Sequence, residues 1–554
     1  MNQPFSQPPT FDIDEIVTTV RARLRQLEDH IWLMQTDASY FRRVIRTANS
    51  AIHFIRDLPI RRDQPAHIQA VEEILVDYSN FNMWRWILED CEHLQTLRDK
   101  YRDELRPGLS LPCEYNIAIQ SLEMVLSQQL SNAESILKTS FPERSGFREL
   151  YEFDYSGVSG NEVRYRLKHG KRMDAFWDGI FFKTEPLYWA ITNLVEPPND
   201  RLKFECSMVF AFLDEYLATC SREERARMDE RLYEQLSNYA ALDELWYAVR
   251  VHRPGSGTKL DAKELIKLSP SRQFRFLRDK ESEARAVEQL GKHGGLIQPL
   301  INFISAYDGP GQGGKKGDTQ RLTRFDNLQA AMDVFWSKVR NIQVKFLKLH
   351  HVPKEDADAA LEYMSARSHP KILNAFALER QRIVDDILKS STTQAPGYLD
   401  QRYDTVWKSA PQPTIETAEE RQKVKTRPEP SEITPLPQVE KLNTEEESTP
   451  PPKPIKQQSY NIISGMFSSS PDSTNKMVDW DAFVTAMADA GCAARQSSGS
   501  AVIFEPDDVK RGWFGKIVFH RPHPVAKIDS IMLRSMGKRM EKWFGWNIET
   551  FIGQ

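Results

Sequence analysis

The chain has 554 residues, 40% of them hydrophobic, which is enough for a sizeable core and about two to four domains. Its 74 Lys and Arg nearly balance 78 Asp and Glu, so the net charge of −4 argues neither for nor against nucleic acid as a global partner. Five scattered cysteines without a CxxC pair exclude a disulfide framework and a zinc finger, and fit a reducing intracellular compartment, cytoplasmic or nuclear.

Residues 1–10, MNQPFSQPPT, are polar and proline-rich and lack the basic and apolar regions of a secretory signal. No apolar run approaches the roughly 18 residues of a membrane span, so no membrane partner is expected. From Phe11 the pattern changes: Ile13, Ile16, Val17, Val20, Leu24, Leu27 and Ile31 recur at three- and four-residue steps, one face of an amphipathic helix. Similar periodicity over 37–57, 66–104, 112–138, 172–192, 203–219, 222–250, 284–306, 322–349 and 356–390 predicts further helices, and strand-like alternation is scarce between them. Residues 11–392 therefore read as one large α-helical region, divisible into two lobes, with no fixed repeat period.

Residues 393–476 hold many of the chain's 32 prolines among Glu, Lys, Ser and Thr. Such a composition buries too little apolar surface to offset its ordering entropy, so a disordered, proline-rich linker is expected. Within it, TPPPKP is a candidate polyproline-II ligand for a protein partner, although a plain spacer is the simpler reading. YNIISGMF (460–467) is locally apolar and suited to docking on a flanking domain.

A compact module is predicted over 477–548. Asp479 can cap a helix carrying Trp480, Phe483, Val484 and Met487 on one face, and Gly491 ends it. Strands follow at 492–496, 500–506 and 515–522. A final helix starts near Asp529 or Ser530, with Leu533, Met536 and Met540 facing inward. The fold class is thus a mainly α N-terminal region joined by a disordered linker to a small α+β module of order α-β-β-β-α.

Sites of known chemistry are sparse. DGPGQGGKKGDT (308–319) fits G-x-x-x-x-G-K but places Lys316 where a P-loop needs the magnesium-binding Ser or Thr, so it reads as a flexible basic loop. Cys91 and His93, two apart on a helix, point to different faces. His350 and His351 lack a partner motif, and HExxH, DFG and GxSxG are absent. No catalytic residue, cofactor or metal is expected.

The module does carry a charge signal. Between Cys492 and Trp546 lie ten basic and five acidic residues, in a protein whose net charge is −4. Lys538, Arg539 and Lys542 cluster near the end of the last helix, where they can contact phosphates and also complement the helix dipole. With Lys516, Arg521, His523 and Arg534 they form the candidate nucleic-acid surface; the bland alternative is a solvated basic face. His520 and His523, in GKIVFHRPHP (515–524), finish a strand, with contact to phosphate or to a partner as the further option.

The segments AGCAARQSSGSAVIF (490–504), GKIVFHRPHP and IDSIMLRSMGKR (528–539) resemble the HicA (YcfA-like) mRNA-interferase family. Its fold is like that of double-stranded-RNA-binding domains. The family's catalytic histidine follows a Gly-Ser pair; here Gly499 and Ser500 are followed by Ala501, and His523 matches the family's second histidine. The resemblance implies an RNA-binding surface without nuclease activity. The overall layout is also similar to fungal "ipa"-type proteins, including EDHIWLMQTDASYF (28–41), which implies no activity. The expectation is a non-catalytic RNA-binding protein. The alternatives are a scaffold that engages a protein partner through the helical region or the proline-rich segment and, more distantly, a weak ribonuclease.

Overall fold

A computed structural model describes residues 11–51, 68–106, 109–154, 164–168, 180–195, 206–252, 258–271, 295–309, 319–349, 352–392, 451–468, 477–496, 501–506, 508, 511–522 and 525–554. The glycine-rich loop from 310 to 318, His350, His351, His523 and the linker from 393 to 450 lie outside these residues. Among the described residues there are seventeen α-helices, most of them in the N-terminal region, and small sheets concentrated near the C-terminus.

Helix α1 (Ile13–Thr36) starts where Oδ1 of Asp12 accepts hydrogen bonds from the amides of Asp14 and Glu15. Asp37 breaks the helical path, and its Oδ1 accepts from the amides of Ser39 and Tyr40 at the start of α2 (Ala38–Ala51). Helix α3 (Ile68–Lys100) packs along α1. Together these two helices serve two apolar clusters. Ile13, Ile16, Val17 and Val20 of α1 join Trp84, Ile87, Leu94 and Leu97 of α3 in the first. Ile31 and Met34 join Val71, Ile74, Tyr78 and Phe81 in the second. This pairing of early with late residues makes α1 and α3 antiparallel, and it makes the pair a shared spine for two lobes.

The first lobe adds α4 (Cys113–Ser140), α5 (Ile180–Thr184), α6 (Pro186–Val195), α7 (Cys206–Thr219), α8 (Arg222–Ala226), α9 (Glu230–His252) and α10 (Ala262–Leu268). A short antiparallel pair, β1 (Tyr151–Asp154) and β2 (Arg164–Leu167), was not anticipated by the helical pattern. The second lobe adds α11 (Ile297–Asp308), α12 (Thr319–Leu349), α13 (Lys354–Glu362) and α14 (Pro370–Thr392). The single helix expected over 356–390 is divided because His369, which precedes Pro370, is held extended.

The C-terminal module begins earlier than the sequence suggests. Strand β3 (Lys453–Ile455) pairs in parallel with β9 (Phe551–Gly553), and α15 (Gln457–Met466) buries Ile463 and Met466 in the module core. The module therefore also includes β3 and α15, on the N-terminal side of 477, and β9, beyond 548. The apolar YNIISGMF segment supplies one of the module's helices, and the last three residues of TPPPKP are taken up just before and within β3.

The expected α-β-β-β-α order is present as α16 (Trp480–Asp489), β5 (Cys492–Gln496), β6 (Ala501–Pro506), β7 (Ile517–His520) and α17 (Ser530–Phe544). The three strands form an antiparallel sheet in sequence order, and a second two-stranded pair joins β4 (Val478–Asp479) to β8 (Lys527–Ile528). Asp479 caps α16 and Asp529 caps α17, which ends at Gly545 with φ of 67°. The period-2 pattern gives β6 and β7 two different faces. Val502, Phe504, Ile517 and Phe519 enter the module core beneath the helices. Ala501, Ile503 and Val518 form a separate cluster with Ala22 of α1.

Candidate functional site

That second cluster is where the module meets the helical region. Ala501 and His520 are direct cross-strand partners, on the face turned towards α1. His520 Nε2 lies 3.2 Å from Nη1 of Arg23. Ala501 is only 7% exposed and packed with Ala22. An imidazole there would be overpacked against α1. Ala501→His is expected to destabilise the chain by about 1–3 kcal/mol in a denaturant titration, and an unchanged midpoint would contradict this packing.

The basic cluster of α17 turns to the same helix. Arg539 Nε donates to Oδ2 of Asp29 at 2.7 Å, and Lys542 Nζ donates to Oδ1 of Asp29 at 2.9 Å and to Glu28 at 2.8 Å. Trp543 Nε1 donates to both oxygens of Asp29, at 3.0 and 2.9 Å. Asp29 is fully buried, and these donors come from one turn of α17, so a carboxylate in α1 is satisfied by the module alone. Lys538 reaches Oδ2 of Asp37 at 2.7 Å, and Arg43 of α2 reaches Asp529 at 3.1 Å. Arg25 stacks over the ring of Trp543 at 4.7 Å and Lys542 over Trp32 at 5.5 Å, adding cation–π contacts across the same junction.

Of the seven residues singled out from the sequence, Lys538, Arg539 and Lys542 are thus brought together, and their partners are carboxylates of this chain. Arg521 is exposed and near Asp214 of α7, whereas Lys516 and Arg534 are half-buried and make no ion pair among the described residues. His523 lies outside the described residues. Cys91 is buried and His93 exposed, on different faces of α3. Among the described residues no group of three metal-ligating side chains occurs, and no helix is long and apolar enough to cross a membrane.

Several titrations are tied to this region. Burial pushes the carboxyl of Asp37 up, but the charge and hydrogen bond of Lys538, with the amides of Tyr40 and Ser39, outweigh it and hold the pKa below the ordinary value. Asp77 of α3 behaves alike: burial is outweighed by Arg231 and His30. A depressed folded-state pKa contributes stability that is present above the unfolded value, about 3.9, and is lost as pH falls through the folded value. Stability is therefore expected to fall as the pH is lowered below about 4, read by tryptophan fluorescence, and Asp37→Asn should flatten that slope.

The junction also forms a partly open cavity of about 540 Å³. Arg23 and His30 of α1, Asp77 of α3, Glu234 of α9 and His520 of β7 contribute to its wall. Arg231 of α9 donates to Glu73, Asp77 and Glu234, and His30 bridges Asp77 and the hydroxyl of Tyr40. Of these residues only His520 is singled out for its chemistry in the sequence; the others carry no motif, because they converge from α1, α2, α3 and α9. No family model, curated protein or solved structure matches the chain.

Proposed function

We propose that this protein is a non-catalytic interaction protein, a scaffold in which the C-terminal module is a docking module for an acidic helix face. The observation that carries this reading is the buried carboxylate of Asp29, which takes Arg539, Lys542 and Trp543 from α17. In the full chain the acidic helix is its own α1. The module thereby fixes the two helical lobes and itself as one body, leaving the remaining helical faces to engage a protein partner. An interface that combines an apolar patch, a buried carboxylate met by three donors and cation–π contacts suits lasting docking better than transient contact.

The test is to place a specific protease site within 393–450 of the full chain, cut it, and pass the product over a size-exclusion column. Docking predicts that both fragments elute together at about 0.15 M salt. Separate elution would remove the basis of this reading.

A second reading, RNA binding as the HicA resemblance implies, is favoured by Lys516, Arg521 and Arg534, which form no ion pair with a carboxylate among the described residues. It predicts saturable RNA binding by the full chain in fluorescence anisotropy. Replacing all three by glutamine should then flatten the salt slope by about 2–3, at roughly 0.7–0.9 per phosphate contact. The scaffold reading predicts no saturable binding at about 0.15 M salt.

A further inference from the structure

The junction cavity has the size of a small-molecule site, which typically spans about 300–1,000 Å³. Its charges are arranged in an unusual way. Arg43 and Arg539 on its wall are each matched to a carboxylate in hydrogen-bond contact, Glu230 and Asp29. Arg23 is not: among the described residues its guanidinium meets only Oε1 of Gln26, at 2.8 Å, and Nε2 of His520. Burial, partly offset by the more distant charge of Glu234, lowers its pKa to about 10. A guanidinium so placed has no carboxylate in hydrogen-bond contact.

At Glu234, which lines the same cavity, the opposite shortage holds. Glu234 takes one hydrogen bond, from Arg231 Nη1 to its Oε2 at 2.9 Å, and its Oε1 takes none among the described residues. Its side chain remains 43% exposed although burial, despite Arg231, raises its carboxyl pKa. Glu234 lines the cavity together with Arg23. One wall therefore presents a cation without a carboxylate, and another a carboxylate oxygen without a donor.

We propose that the junction cavity binds a small zwitterion of the amino-acid type, its carboxylate held by Arg23 and its ammonium by Glu234. A carboxylate suits the planar donors of a guanidinium, and an ammonium suits a lone carboxylate oxygen. A plain anion would satisfy Arg23 but face Glu234; a plain amine would do the reverse. Because Phe519 and His520 of the module line the cavity together with residues of α1 and α9, occupation favours the docked arrangement. The proposal rests on the docked arrangement of the scaffold reading and on no protein partner, so ligand titration and fragment co-elution can fail separately.

The test is isothermal titration of the full chain with glycine, alanine, serine, leucine and glutamine. Acetate and propionate serve as carboxylates without the ammonium, and methylamine and ethylamine as amines without the carboxylate. The expected result is one-to-one binding of at least one amino acid, with every matched carboxylate and amine at least ten-fold weaker. Glu234→Gln, close to isosteric, should weaken the amino acid at least ten-fold and leave the carboxylates within about two-fold. No binding of any of the five amino acids at millimolar concentration overturns the proposal. So does a carboxylate that binds as tightly as its amino acid, or a folded Glu234→Gln chain with unchanged affinity. Should that variant fail to fold, the comparison of ligands on the unmodified chain decides alone.

Discussion

Replacing Asp29 by alanine is expected to destabilise the docked chain by about 3–5 kcal/mol, the usual penalty for removing one partner of a buried ion pair. The effect is large because Asp29 is fully buried and serves three donors at once. Without it Arg539, only 8% exposed and set 4.7 Å over the ring of Phe519, keeps its burial and loses its counter-charge. Trp543 loses both acceptor oxygens for its indole N–H. Lys542 keeps Glu28, which is partly solvated, so it contributes less to the loss. Equilibrium urea unfolding followed by tryptophan fluorescence should show an early transition, in which the module leaves α1 before the lobes unfold. Asp29→Asn should be nearly as damaging, because it restores the shape and not the charge. A loss below about 1 kcal/mol in both variants would mean that the apolar cluster of Ala22, Ala501, Ile503 and Val518 carries the docking by itself.

The elements were largely legible because their information is local. The 3.6-residue periodicity of α1 and α3, the caps at Asp479 and Asp529 and the alternation in β6 and β7 all lie within a few residues of what they specify. Domain limits were legible only where composition changed sharply. The 451–468 segment was read with the linker because its prolines and polar residues resemble linker sequence, and its few apolar residues find their partners almost a hundred positions later, in β9 and α17. The charge excess of the module was legible as well, but its destination was not. Lys538, Arg539 and Lys542 on a helix look the same in sequence whether they meet phosphate or a carboxylate of the same chain. Only the fold brings Glu28, Asp29 and Asp37 to them across some 500 residues. The cavity was invisible for the same reason, since Arg23, Glu234 and His520 become neighbours only when α1, α9 and β7 meet.

Gly537→Ala gives the second large effect, and it tests the place of α15 in the module. In an ordinary mid-helix position this change stabilises a helix by about 0.5–1 kcal/mol, since alanine restricts the unfolded chain more than glycine does. Gly537 lies in the middle of α17, where it faces the end of α15. A Cβ built there would collide with the carbonyl oxygen of Met466 and sit 2.8 Å from its carbonyl carbon. These are backbone atoms, so no side-chain rotation relieves the contact; α15 has to move away from α17. On the same crossing a Cβ at Gly465 would meet Leu533 at 3.4 Å, an ordinary contact, so the tight spot is confined to Gly537. Moving α15 would loosen Ile463 and Met466, both 2% exposed, in the module core. Overpacking of this kind destabilises by about 1–3 kcal/mol, and the sign is therefore opposite to that of the intrinsic helix preference. Gly465→Ala serves as the control and should lie within about 1 kcal/mol of the unmodified chain. Denaturant unfolding supplies the free energies, and amide hydrogen exchange over residues 457–466 should accelerate in Gly537→Ala alone. A neutral or stabilising effect, with protection at 457–466 unchanged, would place α15 away from α17 and return that segment to the linker.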